Sequence, residues 1–145
     1  MIIKTAFGNR EKIPTKYTCD GENVNPPIEI SEVPAGTKSL ALVFDDPDAP
    51  VGIWVHWILF NIPADVKSIK ENSVPAEARQ GINDSKSLKY RGPCPPSGIH
   101  RYFLRIYALD CKLDLAEGST KLDIERAMQG HIIEKNELFG VYERK

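Results

Sequence analysis

The sequence predicts a mostly β protein, an antiparallel β-sandwich with one helix in its C-terminal part. Three apolar runs rich in β-branched and aromatic residues indicate central strands over residues 40–44, 54–62 and 101–109. Prolines and turn residues interrupt the chain at irregular intervals, and only one late stretch has helical periodicity. Irregularly spaced strands, many prolines and a single late helix are typical of antiparallel sheets that pack face to face.

Short strands and turns precede the first central strand. We predict a strand over residues 2–7, followed by a turn-rich loop at 17–27. A short apolar piece around Ile28 and Ile30 then leads into another turn at 33–37. The first half of the chain is therefore expected to be rich in β-structure.

An acidic, proline-rich turn joins the first two central strands. Its sequence, Asp45-Asp46-Pro47-Asp48-Ala49-Pro50, presents Asp46 and Asp48 at a strand end. Counting by twos along the next strand places His56 on the face expected to meet the core, together with Trp54, Ile58, Phe60 and Ile62. Because a buried imidazole needs a hydrogen-bond partner, we expect Asp46 or Asp48 to supply one.

A long irregular segment separates this hairpin from the third central strand. Residues 63–96 show no strong period and contain at best one helical turn, near 75–78. In the strand that follows, His100 and Tyr102 share one face. Arg101 and Arg105 lie on the other face, where we expect them to pair with surface acids.

The C-terminal part contains the predicted helix. Thr120 and Asp123 resemble a capping box, and an apolar stripe predicts an amphipathic helix over about residues 120–133, formed by Ile124, Ala127, Met128, His131 and Ile132. We interpret His131 as an ordinary helix residue rather than a ligand. Residues 138–142 are predicted to form a closing strand.

Composition and charge exclude several classes of partner. The chain has 19 basic and 20 acidic residues without long runs of either, so neither a nucleic-acid surface nor a polybasic membrane surface is indicated. Its 145 residues, 41% of them hydrophobic, fit a single domain over 1–145. No apolar segment approaches the roughly 18 residues of a membrane span, and the N-terminus is too polar for a signal peptide. We therefore expect a cytoplasmic protein that is not integral to a membrane.

The three cysteines are Cys19, Cys94 and Cys111. Their number is odd and no pair has CxxC spacing, which argues against a disulfide framework and against a thiolate zinc site. We expect buried or free thiols.

Two blocks of sequence carry a family resemblance. The first is Asp46-Pro47-Asp48-Ala49-Pro50 followed by Trp54-Val55-His56, and the second is Gly92-Pro93-Cys94-Pro95-Pro96-Ser97-Gly98-Ile99-His100-Arg101-Tyr102. In this order they resemble the signature blocks of the phosphatidylethanolamine-binding protein (PEBP) family. Residues 20–27 and 81–84 are similar to its short bacterial and archaeal branch, often called Raf kinase inhibitor-like.

The resemblance implies a β-sandwich with a pocket between the two blocks that takes phosphate and other small anions. Carried over by motif, the pocket would be lined by Asp46, Pro50, Trp54, His56, Gly92, Pro93, His100 and Tyr102. It also suggests a cis Ala49–Pro50 bond, which the energetics of X-Pro bonds permit. Because the chain ends soon after Tyr142, without the long C-terminal helix of eukaryotic members, we expect a homodimer that covers part of the pocket rim.

We therefore predict a protein that binds a small anion or a phosphorylated head group without catalysis, cofactor or metal. Asp46 is expected to hold one imidazole, while the two histidines, Tyr102 and the backbone N–H groups of residues 92–96 receive the anion. Modulation or inhibition of a kinase or a protease is a further expectation.

The alternative is a metal-assisted or histidine-based hydrolase of phosphoesters that uses the same pocket. Oxygen and imidazole donors are present in Asp46, Asp48, His56 and His100, but no HxH or HExxH spacing assembles them. Cys94 or Ser97 near His100 could act as a nucleophile, although the chain has no GxSxG motif.

Overall fold

This computed structural model describes residues 1–144, which contain two antiparallel β-sheets and one α-helix. The helix, α1, spans Lys121–Met128, and a single 3-10 turn spans Thr15–Tyr17. The strands are β1 (Ile2–Thr5), β2 (Ile28–Ser31), β3 (Ser39–Ala49), β4 (Gly52–Pro63), β5 (Ser68–Ile69), β6 (Arg79–Gln80), β7 (His100–Leu109) and β8 (Ile132–Tyr142). The predicted mostly β fold with antiparallel sheets and one late helix is confirmed.

The strand order places the predicted central strands at the centre of the larger sheet. Its five strands run in the order β6-β4-β3-β7-β8, and the smaller sheet has the order β1-β2-β5. Strands β3, β4 and β7 contain the three apolar runs of the sequence, and each is longer than predicted because residues that flank the apolar run also pair. The C-terminal end of β3 and the N-terminal ends of β4 and β7 lie together at one end of this sheet, where the signature blocks are.

Apolar side chains pack on both faces of the five-stranded sheet. One face of β3, with Leu40, Leu42 and Phe44, packs against Ile28 and Ile30 of the smaller sheet. The other face, with Ala41 and Val43, packs against Ile124 and Met128 of α1. Because successive side chains of a strand point to opposite faces, a continuous apolar run such as 40–44 is what a strand buried on both sides requires.

Helix α1 begins as predicted but ends earlier. Thr120 and Asp123 form the capping box, with the Thr120 hydroxyl accepting from the Asp123 N–H at 3.1 Å. The helix stops at Met128 because Gly130 has a φ of +82°, a left-handed conformation that reverses the chain. Ile132 therefore starts strand β8 instead of extending the helix to residue 133, and the predicted closing strand 138–142 is only the end of β8.

The irregular segment 63–96 contributes two short strands, β5 and β6, and several turns. The helical turn suggested near 75–78 is a hydrogen-bonded turn, in which the Ala78 N–H donates to the Pro75 carbonyl. Within residues 1–144, no helix has the length and apolar character that crossing a membrane would require.

Candidate functional site

A cavity of about 420 Å³ opens between the β3–β4 hairpin and the proline-rich loop that precedes β7. Seven of the eight residues predicted for the pocket line it, namely Asp46, Pro50, Trp54, His56, Gly92, His100 and Tyr102. The structure also brings to the wall residues that the sequence reasoning had not selected, including Cys19, Asn23, Ser85, Arg91 and Pro96.

The tip of the β3–β4 hairpin forms one side of the cavity mouth. Ala49 pairs with Gly52 across a two-residue turn formed by Pro50 and Val51. The expected cis Ala49–Pro50 bond is wrong, because the peptide bond is trans. A trans proline already has the φ that the second turn position needs, and Gly52, at a φ of +105°, reverses the chain.

His56 reaches the cavity because strand β4 contains a bulge. Phe44 pairs with Trp57 and the next residue of β3, Asp45, pairs with Val55, so that His56 is an extra residue without its own partner. The bulge interrupts the alternation, and the His56 ring packs against Phe44 at 6.0 Å between centroids. The predicted grouping of His56 with Ile58 and Phe60 is therefore wrong, because those two side chains pack beneath α1.

The His56 ring is buried and fixed in one tautomer. Its Nδ1–H donates to the Arg91 carbonyl oxygen at 2.6 Å, so the partner is a backbone carbonyl and not the predicted aspartate. Burial lowers the pKa of His56 below its ordinary value, and the Arg91 carbonyl and Asp46 oppose that shift only in part. His56 is therefore neutral near pH 7, with Nε2 as its free ring nitrogen.

His100 is the imidazole that Asp46 holds. The His100 Nδ1–H donates to Asp46 Oδ2 at 2.7 Å, and both side chains are buried. The other carboxylate oxygen, Oδ1, accepts the N–H of Asp48 at 2.7 Å, which closes a turn at the strand end. Asp46 thus fixes the orientation of the His100 ring and the backbone of the turn at Asp48. This agrees with the prediction that Asp46 holds one imidazole.

Tyr102 lies between the two imidazoles at the floor of the cavity. Its ring meets His56 edge-on at 5.3 Å and stacks with His100 at 6.4 Å. The hydroxyl lies near Asp46 and the Cys94 N–H, but it forms no hydrogen bond of normal geometry with any residue of the described chain. Burial is the main cause that raises the pKa of Tyr102, and the Asp46 charge raises it further. The hydroxyl therefore keeps its proton.

A disulfide closes the opposite wall. Cys19 and Cys94, 75 positions apart in sequence, are bonded with their Cα atoms 5.4 Å apart, whereas Cys111 is a free thiol. The expectation of unpaired cysteines is wrong because disulfide formation depends on proximity in the fold rather than on spacing in sequence. Gly92 allows the two loops to meet, since a Cβ at this position would lie 2.0 Å from the Tyr17 carbonyl oxygen.

The proline-rich loop offers fewer donors than predicted. Pro93 does not line the cavity; it is buried behind the wall, and its carbonyl accepts the Cys19 N–H at 3.1 Å. Prolines have no N–H, and the Gly92 N–H already donates to Asn23 Oδ1 at 2.7 Å. The predicted convergence of N–H groups from residues 92–96 is therefore wrong, and Cys94 supplies the remaining one.

Arg91 is the cation that the sequence reasoning missed. Its exposed side chain lines the cavity, while its backbone carbonyl holds His56. Among residues 1–144, no carboxylate lies within salt-bridge distance of its guanidinium, in contrast to Arg101, Arg105 and Arg144. Its position just before Gly92 of the second block is the signal that could have revealed it.

Asp48 stabilises the hairpin from outside the cavity. Its carboxylate receives two hydrogen bonds from the Arg101 guanidinium, at 2.9 and 2.8 Å, and a third from the Arg101 N–H. The predicted pairing of Arg101 with a surface acid is thus present. Arg105 pairs instead with the buried Asp45.

Replacing Arg101 with glutamine is expected to raise the pKa of Asp48, which the hydrogen bonds from Arg101 hold at about 2. A carboxylate with a lowered folded-state pKa stabilises the protein above its unfolded pKa of about 4, and that stability is lost as the pH falls to about 2. The wild type should lose this contribution between those values, and Arg101→Gln should show a smaller loss, because only the hydrogen bond from the backbone N–H of residue 101 remains. Carboxyl NMR titration together with urea unfolding at several pH values measures both effects; an unchanged Asp48 pKa in the variant would contradict the pairing.

The hydrolase alternative finds little support in this geometry. Among residues 1–144, Asp46, Asp48, His56 and His100 do not bring three donor atoms within the reach of one metal ion. Cys94 is bonded to Cys19 and cannot act as a nucleophile, and Ser97 is exposed and outside the cavity lining.

The fold and the cavity define a class, the two-sheet β-proteins with a histidine-lined pocket between a hairpin and a proline-rich loop. A family model described as phosphatidylethanolamine-binding protein matches residues 3–143. The chain therefore belongs to the phosphatidylethanolamine-binding protein family, as the two signature blocks predict.

Relatives and solved structures agree with this assignment. The chain is 53% identical to a UPF0098 protein of Methanothermobacter thermautotrophicus, over 99% of both chains. It also resembles the crystal structure of a PEBP homologue from Chlamydia trachomatis, with a TM-score of 0.95, 41% identity and coverage of 99% of this chain and 97% of that one. For Escherichia coli YbcL, described as a new member of the mammalian PEBP family, the TM-score is 0.91 at 31% identity, covering 99% and 98% of the two chains.

Proposed function

We propose that the protein binds a small anion, phosphate or a phosphorylated head group, in this cavity without chemical conversion. One observation carries the proposal: the cavity brings together two oriented imidazoles, an unpaired guanidinium and a buried hydroxyl without a partner. These groups are His56, His100, Arg91 and Tyr102. A buried polar group that lacks a partner is costly, so a ligand oxygen that accepts from the Tyr102 hydroxyl would remove that cost.

The orientation of the two imidazoles suits a phosphate oxygen. Each ring uses Nδ1 to hold the protein, His56 through the Arg91 carbonyl and His100 through Asp46, so Nε2 is the nitrogen left for a ligand. A neutral Nε2 accepts from a P–OH group, and a protonated one donates to a phosphate oxygen. Arg91 would add charge-assisted hydrogen bonds from the rim.

The size of the cavity favours a phosphate that carries an organic substituent over the bare phosphate ion. A cavity of about 420 Å³ lies within the range of roughly 300–1,000 Å³ that small-molecule sites occupy. Part of the cavity wall is apolar, in contrast to the part that carries the histidines. Its apolar residues are Pro50, Val51, Trp54 and Pro96. A head group that carries a small organic substituent would use both parts of the site.

Replacing either histidine with alanine is expected to weaken phosphate binding by about tenfold or more. Three or four charge-assisted hydrogen bonds of about 1.5–3 kcal/mol each, set against desolvation and ordering, give an affinity in the micromolar to millimolar range. Calorimetric titration of phosphate and of phosphoethanolamine into the wild type, His56→Ala, His100→Ala and Arg91→Gln measures the losses. Arg126→Gln, which removes the same charge from the exposed face of α1, is the matched control.

The same titrations should show binding that tightens as the pH falls from about 8 to about 5.5. A bound anion stabilises the imidazolium form of His56, whose pKa burial lowers in the free protein, so binding takes up a proton. Sulfate, whose charge is constant over this range, separates the protein's titration from that of phosphate. Equal affinities of the wild type and all cavity variants would overturn the proposal, and release of phosphate from a phosphoester only with added metal would favour the hydrolase.

A kinase or protease target, a homodimer and a cytoplasmic location stay predictions. Val51 and Ile53 at the hairpin tip and Ile99 in the proline-rich loop are strongly exposed beside the cavity, so a partner that covers this rim would bury apolar surface. Light scattering at high protein concentration tests the homodimer, and a monomer there would refute it.

A further inference from the structure

A second group of reactive side chains lies at the far end of strand β7. Strand β7 starts with His100 at the cavity, and its ten residues, at about 3.3 Å each, put roughly 30 Å between the cavity and Asp110. Asp110 and Cys111 follow the strand directly, and His131 lies in the turn between α1 and β8. Among residues 1–144, this is the one place where three potential metal-ligand side chains come together.

Hydrogen bonds of the backbone fix the positions of these three residues. The Asp110 N–H donates to the His131 carbonyl at 3.0 Å, and the His131 N–H donates to the Met128 carbonyl at 2.9 Å. The Cys111 carbonyl accepts from the Ser39 hydroxyl at 2.6 Å. The turn that carries His131 is set by Gly130 in its left-handed conformation. The donors are therefore positioned by neighbouring elements and do not depend on a loose loop.

The donor atoms are close enough to share one ion. Asp110 Oδ1 lies 2.8 Å from His131 Nδ1, and one ligand atom from each of the three side chains lies within 4.8 Å of the others. Bond lengths of about 2.0–2.3 Å around a tetrahedral zinc ion require ligand separations of roughly 3.2–3.8 Å. Asp110 and His131 are about half exposed, so their side chains have room to rotate towards that spacing.

The kinds of donor identify the class of cation. A thiolate and an imidazole select zinc and similar borderline-soft ions over magnesium and calcium, which prefer oxygen ligands alone.

We propose that Asp110, Cys111 and His131 form a zinc site, with water as the fourth ligand. Binding would replace the hydrogen bond between Asp110 and His131 with two bonds to the ion. The His131 Nδ1 proton would move to Nε2 by exchange with solvent, which frees Nδ1 as a ligand, and the Cys111 proton would pass to solvent as the thiolate binds. The ion would join the end of β7 to the turn after α1, so it would stabilise the far end of the sheet and not the cavity.

Cobalt(II) substitution tests the site directly. The full chain, kept free of thiol reductants and phosphate, should bind about one cobalt ion with a thiolate-to-cobalt charge-transfer band in the near ultraviolet, and added zinc should remove that band. Cys111→Ser should abolish the band, and Asp110→Asn and His131→Gln should weaken zinc binding by about tenfold or more. Asp114→Asn, which removes an exposed carboxylate three residues after Cys111, should bind zinc like the wild type.

Two readouts keep this test separate from the proposed anion site. Circular dichroism establishes that each variant is folded, and phosphate affinity should be unchanged in Cys111→Ser. A cobalt spectrum without the thiolate band, or zinc binding by Cys111→Ser as tight as in the wild type, would overturn the zinc site. Neither result would bear on phosphate binding in the cavity.

Discussion

Removing the disulfide by replacing both Cys19 and Cys94 with serine is expected to lower the free energy of unfolding by about 4 kcal/mol. The bond joins positions 75 residues apart, and closing a loop of that length removes a large part of the conformational entropy of the unfolded chain. The folded state should change less, because other contacts hold the two loops together. The Tyr90 hydroxyl donates to the Tyr17 carbonyl at 2.8 Å, beside the Gly92–Asn23 hydrogen bond.

Urea unfolding with and without dithiothreitol measures this loss. The reductant should lower the stability of the wild type to that of the double variant and leave the double variant unchanged. Cys111→Ser, measured with EDTA so that no metal is bound, is the matched control, because its thiol is free in the wild type and its loss should cost less than about 1 kcal/mol. Thiol titration of the unfolded, unreduced wild type should find one thiol for each chain; three would show that the disulfide is absent.

The fold could be predicted because its determinants are local in sequence. The apolar run 40–44 indicates a strand buried on both faces, and the Thr120–Asp123 pattern indicates a helix start, in each case from adjacent residues. The end of the helix was misplaced because the apolar stripe continues past Gly130 into Ile132. There the backbone conformation of one glycine outweighs the periodicity of the side chains.

The site could be predicted only as far as its motifs reach. The two blocks brought seven of the eight expected residues to the cavity, but the partner of His56 is a backbone carbonyl, set by a bulge that alternation in sequence does not show. The disulfide depends on a close approach of two loops that Gly92 permits. Such features arise from tertiary packing, so they become visible only when the chain is folded.

Breaking the buried ion pair between Asp45 and Arg105 is expected to have the second largest effect. Asp45 is fully buried, and its carboxylate bonds to the Arg105 guanidinium, with Lys121 Nζ of α1 at 3.3 Å. Arg105→Met keeps a long apolar side chain over the Phe103 ring, which the guanidinium covers at 4.7 Å, but leaves the buried carboxylate without its main partner. We expect a loss of about 3 kcal/mol, since an uncompensated buried charge is costly.

A double-mutant cycle separates this electrostatic cost from lost packing. Asp45→Asn removes the buried charge, so Arg105→Met should cost less in that background, with a coupling of about 1–2 kcal/mol. Arg101→Met is the matched control on the same strand, and its loss should be smaller because its partner Asp48 is partly exposed to water. Urea unfolding at neutral pH gives all the required free energies. If the two changes at Asp45 and Arg105 were additive, the stabilising role would belong to the packing of the Arg105 side chain and to Lys121, and the ion pair itself would contribute nothing.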